Sequence, residues 1–214
     1  MRAVTHAFRP LGLRASDVQS AMSGVRAVVD TGQANPSKES REFALWDEDG
    51  LLTVTGGKLT TFRLMARQAL GAVRDRLPGR PALTKKHRVL DAAAAFGETT
   101  LDPLTRARLA GRYGADAPAL VEAAQPNELT AIASTPSLWA ELRWAARAEA
   151  VVHLDDLLLR RLRLGILLPE GGLPLMDRIR SIAQPELGWD DNRWQTEADR
   201  YSALWRRCYS VSVS

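Results

Sequence analysis

From about Leu101 onward every segment of the chain carries helix signals, whereas the residues before it mix the period of strands with that of helices. That asymmetry restricts the fold to an α+β arrangement that is mainly α. A strand-and-helix piece comes first and an all-helical domain follows. The expected division is residues 1–90 and 91–214, with Pro81 to Thr100 as the connector. Three short strands and two helices make a poor closed core by themselves. The first piece therefore reads as the end of a larger domain.

Local signals fill in the elements. Ser16 suits the N-cap of a short helix through Met22, closed by Gly24, and the β-branched run Val25 to Asp30 has strand length. A polar loop follows, TGQANPSKES. Two strands, Glu42 to Trp46 and Leu51 to Thr55, are joined by Asp47-Glu48-Asp49-Gly50, whose Asp-Gly step is a hairpin signal. Gly56-Gly57 lead into a helix from about Lys58 to Leu77, closed by Pro78-Gly79. In the helical domain Asp102-Pro103 and Thr135-Pro136 are read as helix starts. Asp155-Asp156 open a helix that Gly165 closes, with Arg160, Arg161 and Arg163 in its last turns. In the last helix Trp194, Ala198, Tyr201, Trp205 and Cys208 recur at four, three, four and three residues, one apolar stripe.

Charge and cysteine usage exclude several classes. A formal net charge of +4 over 214 residues is modest. It suits an anionic ligand or surface without calling for nucleic acid, and a solvated basic surface explains it as well. Cys208 is the only cysteine, so no internal disulfide forms and a reducing compartment is expected. No apolar run approaches the ~20 residues that span a bilayer. Leu157 to Pro169 comes nearest and is interrupted by three arginines. Peripheral membrane contact stays open. His6, His87 and His153 have no spacing suited to a shared metal, so no metal site is expected.

The segment Thr53 to Thr61, TVTGGKLTT, is a strand, a glycine turn and a helix start. The first amides of a helix have no intrahelical partner and its dipole favours negative charge there. Lys58 adds a full positive charge. Leu52 and Leu59 stand where a Walker A loop needs glycine and Ser or Thr, so this is not one. From spacing alone, an anion site and a tight turn with a surface lysine fit equally. Arg26 and Arg41 lie at the edges of predicted strands, and guanidinium binds phosphate or carboxylate through paired hydrogen bonds.

Three segments in order, GVRA (Gly24 to Ala27), SRE (Ser40 to Glu42) and GGKLTTFR (Gly56 to Arg63), resemble the FAD-dependent, quinone-linked glycerol-3-phosphate dehydrogenases and alpha-glycerophosphate oxidases. Tyr113-Gly114, the stretch Trp139 to Pro169 with its DDLLLRR segment, and ELGWDD (Glu186 to Asp191) extend the likeness to the helical half. The resemblance implies that Arg26, Arg41 and Lys58 hold the phosphate of sn-glycerol 3-phosphate. It also implies that Gly56, Gly57, Lys58, Leu59 and Thr60 lie against FAD. The expected reaction is oxidation to dihydroxyacetone phosphate with electrons passed to quinone, in the cytoplasm or peripherally on the cytoplasmic side of the inner membrane.

The chain departs from that pattern in places. Ala27 replaces a proline usual after the arginine and Phe62 a tyrosine. A GxGxxG segment opening a helix is absent, and no histidine stands in the context of the family's proton acceptor. No catalytic residue is therefore expected in this chain, and the residues supplying base and dinucleotide binding are expected upstream. On this reading the chain is a truncated, split or excised part, inactive alone, with an upstream flavin-domain half as its partner. The alternative is a non-catalytic helical interaction module.

Overall fold

The computed structural model describes residues 2–25, 35, 42–79 and 95–211. They form two compact units, one of residues 24–89 and one joining residues 1–23 to residues 90–214. The short helix α1 (Arg2–Ala7) belongs to the second of these; the first carries β1 (Phe43–Glu48), β2 (Leu51–Gly56) and α2 (Phe62–Ala72). The strands are antiparallel, with Phe43 opposite Gly56 and Glu48 opposite Leu51. Asp49 and Gly50 both have positive φ, 49° and 84°. That two-residue turn matches the twist of the strands, so β1 runs two residues further than the predicted four-residue link allows.

The predicted helix from Lys58 to Leu77 is broken into three pieces. A 3₁₀ turn (Leu59–Thr61) precedes α2, and a second (Arg74–Arg76) follows it. Arg76 closes back on Asp47 at 2.5 Å. No described residue of this unit is fully buried. Of the strand expected at Val25 to Asp30 only Val25 is described, and it is exposed and not in a strand; the rest of it, the basic cluster 85–88, Arg26 and Arg41 lie outside the described residues.

The other unit contains α3 (Pro103–Tyr113), α4 (Ala117–Glu122), α5 (Trp139–Ala148), a π-helical segment (Asp156–Arg161), α6 (Leu164–Leu167), α7 (Met176–Leu187) and α8 (Asp191–Cys208). Asp102 caps α3 as predicted, accepting from the Leu104 and Thr105 amides at 2.9 and 3.1 Å. A small core of Leu109, Ala117, Leu120, Leu138 and Ala140 ties α3 and α4 to the start of α5. The larger core joins α5 and the π-helical segment to α7 and α8, with Leu142, Leu157, Ile179 and Tyr201 fully enclosed. Along α8, Trp194, Tyr201 and Trp205 are buried and Ala198 packs against them, while Cys208 is exposed.

Three local readings are corrected. Ser16 to Met22 is not a helix; only a 3₁₀ turn forms at Ala15–Asp17. The Ala21 amide, which would close the next turn, donates instead to the Tyr209 carbonyl at 2.9 Å, and the Ser20 hydroxyl donates to the Ile166 carbonyl at 2.7 Å. Thr135-Pro136 does not start a helix. Thr135 folds back on the Ile132 carbonyl, and α5 begins at Trp139 with the Glu141 carboxylate accepting the Leu138 amide at 2.8 Å. Gly165 does not close a helix either: the π-helical segment stops where Arg163 adopts φ 59°, and Gly165 lies within α6.

Candidate functional site

The glycine turn forms because β2 ends at Gly56 and the chain must reverse to lay α2 back on the hairpin. Gly56 and Gly57 take φ of 74° and 92°, a conformation that glycine adopts without a Cβ clash. At Gly57 a Cβ would stand 3.2 Å from Met65 Sδ and 3.4 Å from Phe43 Cβ. The inner side of the turn is thus filled by the unit's own side chains. The outer side is open, with Leu59 89% exposed.

Lys58 heads the 3₁₀ turn in extended conformation. Its amide donates to Thr61 Oγ1 at 3.2 Å, and its carbonyl accepts from the Thr61 amide at 2.9 Å and hydroxyl at 3.0 Å. The amides of Leu59 and Thr60 begin the turn and so have no intrahelical acceptor. The Lys58 ammonium is 2.5 Å from Glu42 at the foot of β1. Gly56, Gly57, Lys58, Leu59 and Thr60 are therefore contiguous around one exposed turn. Arg26 and Arg41 fall outside the described residues.

Sequence reasoning missed a second concentration of charge, in the helical unit. Four carboxylates that look like surface residues are buried there, Glu128, Glu141, Asp155 and Glu197. Arg108 binds Glu141 in bidentate fashion at 2.6 and 3.0 Å, and the Tyr113 hydroxyl donates to it at 2.8 Å. Arg143 grips Glu128 at 2.6 and 2.7 Å and also reaches Glu186. Asp155 accepts from Arg160 and Arg200. Glu197 meets His153 Nδ1 at 3.0 Å, the Leu154 amide at 3.1 Å and Arg193 at 2.9 Å.

Burial alone would raise Asp155, Glu197 and Glu128. It is outweighed by Arg160 and Arg200 at Asp155, by His153 and the Leu154 amide at Glu197, and by Arg143 and the Gln125 amide at Glu128, so each carboxyl is held below its usual range. Burial pushes the Tyr113 and Tyr201 hydroxyls far up, so both stay protonated donors. The signal in the sequence is only an excess of arginine, whose partners lie from four residues away, as Glu197 does from Arg193, to 45, as Asp155 does from Arg200. No group of three or more His, Cys, Asp or Glu suited to a metal ion occurs among the described residues, and no described helix is long and apolar enough to cross a membrane.

Residues 70–194 match the family described as the C-terminal domain of alpha-glycerophosphate oxidase, a stretch that starts in α2, beyond the glycine turn, and ends in α8. Glycerol-3-phosphate dehydrogenase 2 of Mycobacterium tuberculosis is 32% identical over 205 residues, covering 88% of this chain and 35% of the relative. The aerobic glycerol-3-phosphate dehydrogenase of Staphylococcus aureus is 27% identical over 184 residues, 74% of this chain and 32% of that protein. The Bacillus subtilis aerobic enzyme is 37% identical over 78 residues. The chain spans about a third of the length of the first two relatives.

Proposed function

Because this chain belongs to the glycerol-3-phosphate dehydrogenase and alpha-glycerophosphate oxidase family, as its carboxy-terminal part, we propose that it serves the FAD-dependent oxidation of sn-glycerol 3-phosphate to dihydroxyacetone phosphate. Residues 1–90 belong in this reading to the flavin and substrate domain and residues 91–214 to the helical carboxy-terminal domain. Electrons leave for quinone, in the cytoplasm or at the cytoplasmic face of the inner membrane. GxGxxG binding of the dinucleotide and the proton acceptor come from outside these 214 residues, so this chain by itself is inactive.

The carrying observation is the exposed glycine turn with Lys58 at its head. Lys58 joins Arg26 and Arg41 in clamping the substrate phosphate, a remote contact that holds C2 for reaction. The donor set suits a flavin edge. The outer side of the turn is uncovered, and the Leu59 and Thr60 amides offer hydrogen bonds to negative charge. Bound FAD would supply the hydride acceptor; the residues here bind and orient.

Lys58→Ala, in enzyme reconstituted with the upstream portion supplied in trans or fused, tests the reading. Loss of one charged partner of a desolvated phosphate costs roughly 2 to 5 kcal/mol. KM should rise strongly with a smaller change in kcat, and Arg26→Ala and Arg41→Ala should behave alike. An unchanged kcat/KM in Lys58→Ala refutes the clamp.

A further inference from the structure

A cleft of about 530 Å³ opens beside α3, the end of α5 and the π-helical segment, lined by Arg112, Tyr113, Ala148, Glu149, Arg160 and Arg161. The function proposed above uses none of these residues. Arg112 is fixed from three directions. Its guanidinium donates to the Arg161 carbonyl, lies 5.3 Å from the Tyr113 ring centroid, and approaches Glu141 only to 3.7 Å. Glu141 is fully buried and already takes two hydrogen bonds from Arg108 and one from Tyr113. The charge of Arg112 is therefore positioned but little neutralised.

The π-helical segment separates the roles of two neighbouring arginines. Its wider turn brings Arg160 over Asp155, five residues back, and Arg160 also binds Asp156. Arg160 is thus committed to a carboxylate pair. Arg161 is exposed, and its guanidinium has no hydrogen bond or ion pair among the described residues. It stands in the lining with Arg112, faced by one acidic residue, Glu149. One guanidinium without a described partner, Arg161, and a second held in place but only weakly paired with a carboxylate, Arg112, match a dianion with several terminal oxygens.

We propose that this cleft is a binding site for a phosphoryl group, with Arg112 and Arg161 as its ligands and Glu149 as the group that limits its affinity. The inference stands independently of the reading of Lys58. The phosphoryl group has two possible sources, a small phosphate or phosphomonoester and the headgroup of a phospholipid.

Calorimetric titration of the full chain tests it, with Lys58→Ala as the background so that the glycine turn does not contribute. The probes are inorganic phosphate, glycerol 3-phosphate and phosphatidylglycerol vesicles, each against sodium chloride of equal ionic strength. The expected result is saturable binding that Arg161→Ala weakens at least about tenfold, the loss of one charge-assisted contact. Glu149→Gln should tighten it. Among the described residues no hydrogen bond or ion pair is made by the Arg161 side chain, so that variant should keep the parent's circular dichroism and melting temperature. An Arg161-dependent signal with the soluble probes assigns a small phosphate, and one confined to vesicles assigns a headgroup. Binding no stronger than that of chloride, or binding indifferent to Arg161→Ala, overturns the proposal.

Discussion

The Lys58 ammonium lies 2.5 Å from a carboxylate oxygen of Glu42, and both side chains are well exposed, 45% and 65%. An anion arriving at Lys58 therefore meets an occupied cation. Exposed pairs of this kind are worth at most about 1 kcal/mol, which a dianion in contact with several cations exceeds. Glu42→Gln should free the lysine, lowering the KM for glycerol 3-phosphate by up to about fivefold in the reconstituted enzyme. Steady-state kinetics with an artificial electron acceptor report it. A KM raised as far as in Lys58→Ala would mean that Glu42 aims the lysine instead of competing for it.

Gly171 anchors α8 by shape and by hydrogen bonding. It has φ 70°, a Cβ there would lie 2.6 Å from Trp205 Cδ1, and its carbonyl accepts the Tyr201 hydroxyl at 2.5 Å. Gly171→Ala combines backbone strain with overpacking and should cost roughly 2 to 4 kcal/mol. Tyr201→Phe leaves a buried carbonyl without its donor and should cost roughly 1 to 3 kcal/mol. Urea midpoints at neutral pH compare the two. Parent-like stability in Gly171→Ala is incompatible with the close approach of Trp205.

What was legible in the sequence was local. Asp-Gly at 49–50, Asp102 before Pro103 and the spacing of Trp194, Tyr201 and Trp205 each act within a few residues of themselves, and each appears in the fold. The reading that failed at Ser16 to Met22 was decided from far away. Ser20 and Ala21 are held by residues 166 and 209, whereas Thr135 folding back on Ile132 and the positive φ of Arg163 are local choices that residue spacing does not announce. A glutamate such as Glu141 gives no sign that an arginine 33 residues earlier will bury it. The glycine turn was legible for the same reason as the hairpin, since strand, paired glycines and helix are contiguous.

The helical unit has two cores and its own ion-pair network, so residues 95–211 should fold without the strand-bearing unit. The bonds from Ser20 to Ile166 and from Ala21 to Tyr209 would be lost with residues 1–23, a small deduction beside the cores. Small single domains melt cooperatively. Circular dichroism of residues 95–211 should show strong helical signal and one thermal transition. A weak helical signal or a broad, non-cooperative melt would place the folding boundary elsewhere.

Acid should unfold this unit through Asp155 and Glu197, both 2% exposed. Burial opposes ionisation of each. For Glu197 it is outweighed by His153, the Leu154 amide and Arg193, with Arg200 at 3.7 Å; for Asp155, by Arg160 and Arg200. A carboxyl whose folded pKa is depressed stabilises the fold at any pH above its unfolded value, about 4. That contribution is lost as pH falls through the folded pKa, because the unfolded chain takes up the proton first. Stability should therefore hold from pH 7 to about 5 and drop steeply below about 4. Glu197→Gln should be less stable than the parent at pH 7 and lose less between pH 5 and 3, since it has no proton to gain at that site. Urea midpoints at pH 7, 5, 4 and 3 measure both slopes. Parallel curves for parent and Glu197→Gln would show that Glu197 titrates alike in the folded and unfolded chain.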